Sequence, residues 1–251
     1  MSMLTDKVVL LTGASKGIGA ATAEKLLKEG ATVIGTYNSG IGALEELAQT
    51  YGSGRLLALK GDLGDMNAVE SIWQQALDFK GHINALVNNA GIAPVVDVDG
   101  SDSEWHRVWQ QTLAVNLQAV ADLCRRAILH FKAHDGGAIV SVASRAAQRG
   151  DGVDSLHYAA SKGAVVALMK SIARGYAAEN ILAYTIAPGW VKTDMASVIY
   201  TSGNERMLAE IPMGDAAPPE EIGNLIAFLL SDQMRHATGS TFDINGASYV
   251  R

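Results

Sequence analysis

Val8-Val9-Leu10-Leu11-Thr12-Gly13-Ala14-Ser15-Lys16-Gly17-Ile18-Gly19 runs from an apolar tetrad into a glycine-rich turn, and a helix-like stretch, 20–29, follows it. A strand, a glycine turn and a helix in that order form a corner suited to an anion. Glycines at 13, 17 and 19 let the chain turn sharply and let a ligand approach the backbone closely. The helix that follows points unpaired N–H groups and the positive end of its dipole at the same place. A dinucleotide pyrophosphate would suit such a corner. The spacing is Gly-x-x-x-Gly-x-Gly, not the commoner Gly-x-Gly-x-x-Gly.

Outward from this corner, strand-like and helix-like segments alternate to the end of the chain. Strands are expected at 31–37, 55–60, 83–87, 138–142, 181–186 and 240–244. Helices are expected at 43–51, 66–79, 103–134, 158–178 and 218–230. Val69, Ile72, Trp73 and Ala76 share one helical face, Ser103 or Asp102 is the expected cap of the long helix, and Pro218-Pro219 opens the last one. Residues 194–214 are mixed and weakly periodic. The alternation predicts an α/β fold: a doubly wound parallel sheet of about seven strands with helices on both faces. Ligands of such sheets bind at the carboxyl ends of the strands, so the punctuated strand ends should line one crevice.

Composition narrows the function classes. At 251 residues and 48% apolar content the chain can bury one large core, and a single domain spanning 1–251 is expected. The net charge of −6, with no long basic run, argues against nucleic acid or a membrane surface as a partner. The one cysteine, Cys124, excludes an intrachain disulfide and fits reducing cytoplasm; it is expected to be a buried structural thiol. No apolar run reaches membrane-spanning length.

Tyr158 and Lys162 lie four residues apart on a predicted helix and so share a face. A nearby ammonium favours the phenolate, so the expectation is a tyrosine pKa lowered toward neutrality and a role in proton transfer. This pair belongs to an ordered series: the glycine corner, Asn88-Asn89-Ala90-Gly91, Asn116, Ser144, Tyr158-x-x-x-Lys162 and Pro188-Gly189. In that order and spacing, over essentially the whole chain, the series resembles the short-chain dehydrogenase/reductase family in its compact single-domain branch, with a Rossmann fold. The C-terminal run 237–246 and the end of the second strand are similar to those of 3-oxoacyl-(acyl-carrier-protein) reductases and their relatives.

The resemblance implies a set of roles. Gly13, Ser15, Lys16, Gly17, Ile18 and Gly19 would hold the cofactor pyrophosphate. Asp62 and Leu63 would meet the adenine, and Asn88, Asn89, Ala90 and Gly91 would pack the fourth strand and flank the adenosine ribose. Ser144 would hydrogen-bond the substrate oxygen, Tyr158 would transfer the proton, and Lys162 would bind the nicotinamide ribose while tuning the tyrosine. Asn116 would hold a water of the proton relay. Pro188, Gly189, Val191 and Thr193 would enclose the carboxamide. Asn89 and Ala90 also read well as packing residues, and Ser141 as a plain strand residue.

Cofactor choice is read from the second strand. No acid occurs between Ala31 and Leu44 to grip ribose hydroxyls or repel a 2′-phosphate. Lys16 matches the basic position of NADP-dependent relatives, and Thr36, Asn38 and Ser39 can add hydrogen bonds, so NADP(H) is expected over NAD(H). The implied activity is hydride exchange between NADP(H) and a small-molecule carbonyl or secondary alcohol, of 3-oxoacyl type, in a cytoplasmic homotetramer. An NAD-dependent alcohol or sugar dehydrogenase of the same family is the alternative, and a non-catalytic dinucleotide-binding sensor a more remote one. Substrate choice should rest on the polar loop 145–157, on Trp190 and on a lid at 194–214. His157 is expected to face solvent, and Tyr184, where the family commonly has asparagine, to alter local packing.

Overall fold

The structure is a computed structural model that describes residues 2–251. Its centre is a seven-stranded, wholly parallel sheet in the order β3-β2-β1-β4-β5-β6-β7. The strands are β1 (Val8–Leu11), β2 (Thr32–Tyr37), β3 (Leu56–Lys60), β4 (Ala85–Asn88), β5 (Gly137–Val142), β6 (Ile181–Pro188) and β7 (Thr241–Ile244). The order reverses between β1 and β4, and there the C-terminal strand ends part to leave a crevice.

Strand alternation sorts the core into two layers. Val9, Leu11, Val33, Val87 and Val140 face α1 (Gly17–Lys28), α2 (Ala43–Tyr51) and, after the later helices, the C-terminal helix Pro219–Leu229. Val8, Leu10, Ile34, Leu86 and Ile139 face α3 (Met66–Lys80), which follows β3, and the helices after β4. Both faces of the sheet are therefore buried, as an all-parallel sheet requires. Asp65 caps α3 through the Asn67 N–H, and Gly81 ends it in a left-handed conformation.

Between β4 and β5 the expected single long helix is two: α4 (Asp102–Leu113) and α5 (Ala119–Lys132), joined by a π-turn at Ala114–Gln118. The cap of α4 is Ser101, whose hydroxyl accepts from the Glu104 N–H at 3.3 Å, and not Ser103 or Asp102. Beyond β5 come α6 (Ala146–Arg149), absent from the sequence expectation, and α7 (Leu156–Tyr176). The weakly periodic region holds a 3-10 segment, Asp194–Tyr200, and α8 (Glu205–Ala209); α9 (Pro219–Leu229) then leads to β7. Tyr184 fits its strand by full burial, with its hydroxyl donating to the Met234 carbonyl at 3.1 Å. Cys124 is buried on α5 beside Asn88, whose amide donates to its sulfur at 3.4 Å. No helix among the described residues is long and apolar enough to cross a membrane.

Candidate active site

The glycine corner is held by its neighbours. Thr12 Oγ1 accepts from the Asn89 and Ala90 N–H groups at 3.0 and 3.1 Å, and the Asn89 amide donates to the Thr12 and Gly13 carbonyls. Gly13 and Gly17 have positive φ, +65° and +55°. A Cβ on Gly13 would come within 2.9 Å of Ala90 Cα, and one on Gly19 would fall on the Gly13 carbonyl oxygen. Only glycine can follow this path. Helix α1 starts after extended Lys16 with no side-chain cap and no acid in its first turn, which leaves its leading N–H groups and dipole unopposed. This cradle fits the pyrophosphate of a dinucleotide. Asn89 thus has a structural duty, as its packing alternative anticipated.

A cavity of about 800 Å³ runs from this corner along the ends of β4, β5 and β6. Ile18, Asn89, Gly91, Ser144, Tyr158 and Lys162 line it, with Pro188, Gly189, Val191 and Thr193. The ends of β4, β5 and β6 therefore share one crevice as expected, whereas those of β2 and β3, with Asn38, Ser39, Asp62 and Leu63, do not line it. Gly91 packs where a Cβ would lie 3.2 Å from Lys162 Nζ and 3.4 Å from Asn116 Oδ1, so these three meet at one point. Gly189 turns against Asn245, and the Pro188 carbonyl accepts from the Arg145 N–H at 2.8 Å, tying β6 to the residue after Ser144.

Ser144 Oγ accepts from the Ala146 N–H at 3.1 Å, leaving its own proton free to point at Tyr158. Lys162 is 4% exposed; its ammonium donates to the Val142 carbonyl at 2.9 Å and stands 5.7 Å from the Tyr158 ring centroid. Burial lowers its pKa to about 8. Tyr158 departs from expectation. Burial pushes its pKa above the ordinary 10, the Ser144 hydrogen bond pulls the other way, and Asp151 raises it further. In the protein alone, desolvation of the phenol outweighs what favours its charged form.

Several expected side chains are committed inside the protein. Asn116, in the π-turn, accepts from the Ile92 N–H at 2.8 Å and donates to the Ile92 carbonyl and to Ser161 at 2.9 and 3.2 Å. Its side chain clamps the loop after β4. Thr36 is buried and its hydroxyl accepts from the Gly13 N–H at 3.2 Å, so it shapes the glycine corner instead of facing a ribose. The Asp62 carboxylate accepts from the Gly64 N–H at 2.8 Å. Leu63 is buried, and Asn38 and Ser39 are exposed beyond β2; none of these three lines the cavity. Lys16 reaches across the mouth to Asp194 at 3.2 Å in a highly exposed pair.

His157 reverses its expectation. It is 0% exposed, with Trp109 edge-on at 6.0 Å between ring centroids. Neither ring nitrogen reaches hydrogen-bonding geometry. Burial lowers its pKa, opposed by the main-chain carbonyls of Pro94 and Asp154. The first turn of α7 turns this position inward, and a polar residue type gave no sign of it. Arg145, the other feature of this loop that the sequence left unassigned, lies buried against the cavity.

A parallel sheet with this strand order, a glycine cradle at its switch point and a Ser-Tyr-Lys group across the cavity define a dinucleotide-dependent oxidoreductase class. The chain belongs to the short-chain dehydrogenase/reductase family: the family model described as enoyl-(acyl carrier protein) reductase matches residues 13–247. Among curated proteins it is similar to the 3-oxoacyl-(acyl-carrier-protein) reductase of Escherichia coli, 33% identical over 97% of this chain and 98% of that one. The reductase of the same name from Vibrio cholerae is 33% identical over 98% and 99%. Among solved structures, a short-chain dehydrogenase/reductase double mutant of Serratia marcescens superposes with a TM-score of 0.90 at 30% identity, covering 98% of this chain and 99% of that one. The 3-ketoacyl-(acyl-carrier-protein) reductase of Brucella melitensis complexed with NADH gives 0.86 at 29%, covering 98% and 100%.

Proposed function

We propose that the protein is an NADP(H)-dependent reductase of carbonyl compounds, of 3-oxoacyl type. The observation that carries this is the meeting of the Ser144 and Tyr158 hydroxyls on one cavity wall, with Lys162 behind them and the glycine cradle at the far end. When bound, the nicotinamide supplies the hydride in reduction and accepts it in oxidation. Ser144 donates to the carbonyl oxygen, and Tyr158 gives its proton to the forming alkoxide; in the reverse direction Tyr158 takes that proton. A raised tyrosine pKa keeps the phenol protonated for reduction. Lys162 would hold the nicotinamide ribose hydroxyls and favour the phenolate once the proton has left. Asn116 keeps the 92 loop against Gly91 and Lys162. The pyrophosphate would rest on Gly13, Ser15, Gly17, Ile18 and Gly19, the adenine near Asp62 and Leu63, and the carboxamide against Pro188, Gly189, Val191 and Thr193.

The phosphorylated cofactor is favoured because Tyr37, Asn38 and Ser39 end β2 without an acid. Lys16 gives up little in leaving Asp194, since an ion pair this exposed is worth at most about 1 kcal/mol. The NADH complex of the Brucella relative supports the alternative of an NAD-linked enzyme. The whole chain, 1–251, would work as one catalytic unit, with 194–214 as its lid. Ile199 and Ile211 pack with Met207, Leu208 and Trp190 in a small apolar cluster apart from the main core, as a closing flap would. A homotetramer is the expected assembly, checked by light scattering on the eluting protein.

The deciding experiment offers purified protein with NADPH, then NADH, to 3-oxoacyl compounds as thioesters and as free acids, to trans-2-enoyl thioesters and to simple ketones. Oxidation of NADPH with the 3-oxoacyl compounds, at a higher kcat/KM than with NADH, is expected. Turnover of the enoyl compounds alone would move the reaction to a carbon–carbon double bond, and turnover of none would leave a dinucleotide-binding protein.

A further inference from the structure

Arg145 follows Ser144 directly, and its surroundings do not complete it. The residue is 5% exposed, its guanidinium Nη1 has no hydrogen-bond partner, and it lines the same cavity as Tyr158. Trp190 covers one side, its ring centroid 5.9 Å from the guanidinium carbon. The nearest carboxylate, Glu210 of the proposed lid, is half-exposed, lies 3.8 Å from Arg145 Nη2 and is shared with Arg149 at 3.4 Å. Asp151 and Asp154, which also line the cavity, are exposed at its rim. The charges inside the cavity wall are thus cations, Arg145 and Lys162, while the acids stand where water screens them.

A buried guanidinium without a close counter-charge is costly. An anion brought into the cavity would offset that cost with charge-assisted, two-pronged hydrogen bonds. We propose that Arg145 binds a carboxylate on the carbonyl substrate, so that the enzyme's substrates are oxo acids, with the carbonyl at Ser144 and Tyr158 and the carboxylate at Arg145. This rests on the carbonyl-reductase function proposed above and narrows it. A neutral ester or thioester offers the same arginine only a single uncharged acceptor. Glu210 then stands where the substrate's own carboxylate would approach, and entry of the acid would replace the long Glu210 contact with a short one.

The test compares α-, β- and γ-oxo acids of five carbons with their ethyl esters, using native protein, Arg145→Gln and Arg145→Lys. For native protein, kcat/KM for at least one acid should exceed that of its ester about ten-fold or more. Arg145→Gln should shrink that ratio about ten- to a hundred-fold, chiefly through KM, and Arg145→Lys should restore part of it. A native preference for the ester, or a ratio unchanged in either variant, overturns the proposal. The native ratio decides even if a variant fails to fold. Calorimetric titration of the same acids into protein saturated with oxidised dinucleotide separates the two proposals. Arg145-dependent binding without turnover of any carbonyl would retain the carboxylate site and discard the reductase. Reduction of neutral ketones with no acid binding would do the reverse.

Discussion

Replacing Lys162 with methionine should abolish activity and yet make the protein more stable at neutral pH. The ammonium is 4% exposed and its pKa falls from an ordinary 10.5 to about 8. At 1.36 kcal/mol per pH unit, holding the charged form inside the folded protein at pH 7 costs about 3 kcal/mol. Methionine fills similar space without a charge, but it leaves the Val142 carbonyl without its 2.9 Å donor. An unsatisfied buried carbonyl costs about 1–2 kcal/mol. The balance is a gain of about 1–2 kcal/mol at pH 7, or roughly 2–8 °C in Tm for a chain of this size. The pH dependence gives the sharper signature. Between about 8 and 10.5 the unfolded lysine is protonated and the folded one is not, so native stability rises with pH across that window. The variant lacks this rise. Its advantage should vanish and turn into a deficit of about 1–2 kcal/mol near pH 10.5, set by the missing hydrogen bond. Urea unfolding of both proteins at equal concentration, without dinucleotide, at pH 7 and in the alkaline window, measures the difference. A variant less stable than native at pH 7, or a difference that does not move with pH, refutes the reasoning.

Gly19→Ala sets a methyl group on the Gly13 carbonyl oxygen and should weaken binding of reduced dinucleotide more than ten-fold, read by nucleotide fluorescence titration; native-like affinity would contradict the cradle. Lys16→Ala should lower kcat/KM for NADPH about ten-fold or more while changing that for NADH about two-fold at most, in the steady-state carbonyl assay. His157→Asn should weaken the acid sensitivity of folding. The buried ring has a lowered pKa, so its contribution is complete above the unfolded value of about 6.5 and is lost as pH falls below it. His130, lowered in the same way, retains part of that slope, and thermal melts from pH 7.5 to pH 5 should show a shallower decline in the variant.

The parallel sheet was legible because burial on both faces leaves long apolar runs between glycine and asparagine stops, and β1 was read at Val8–Leu11 to the residue. The grouping of Ser144, Tyr158, Lys162 and Pro188-Gly189 was legible through order and spacing, since strand ends in such a fold converge. What escaped depended on contacts made across the chain. The π-turn at Asn116 follows the grip of its side chain on Ile92, 24 residues away, which helical periodicity does not register. Thr36 looked available to a ribose because β2 ends there, whereas its hydroxyl is taken up by Gly13 from the neighbouring turn. The tyrosine pKa went the other way because four-residue spacing reports proximity and says nothing of desolvation. Arg145 is drawn in at the start of α6 by its main-chain hydrogen bond to Pro188, and His157 by its place on the buried face of α7, contacts that a polar loop sequence does not show.

The seclusion of Cys124 has a practical consequence. Burial pushes its thiol up to about 12, so near pH 7 only about one molecule in 10⁵ carries the thiolate that alkylating reagents attack. Chemistry at that sulfur should therefore wait for the helix layer over β4 to open, and with one cysteine in the chain every labelling event marks the same opening. Alkylation kinetics become a stopwatch for the rigidity of the sheet beneath the active site. A bound dinucleotide that braces the strand ends would slow it, and the size of that slowing would measure how far the cofactor stiffens the scaffold that holds it.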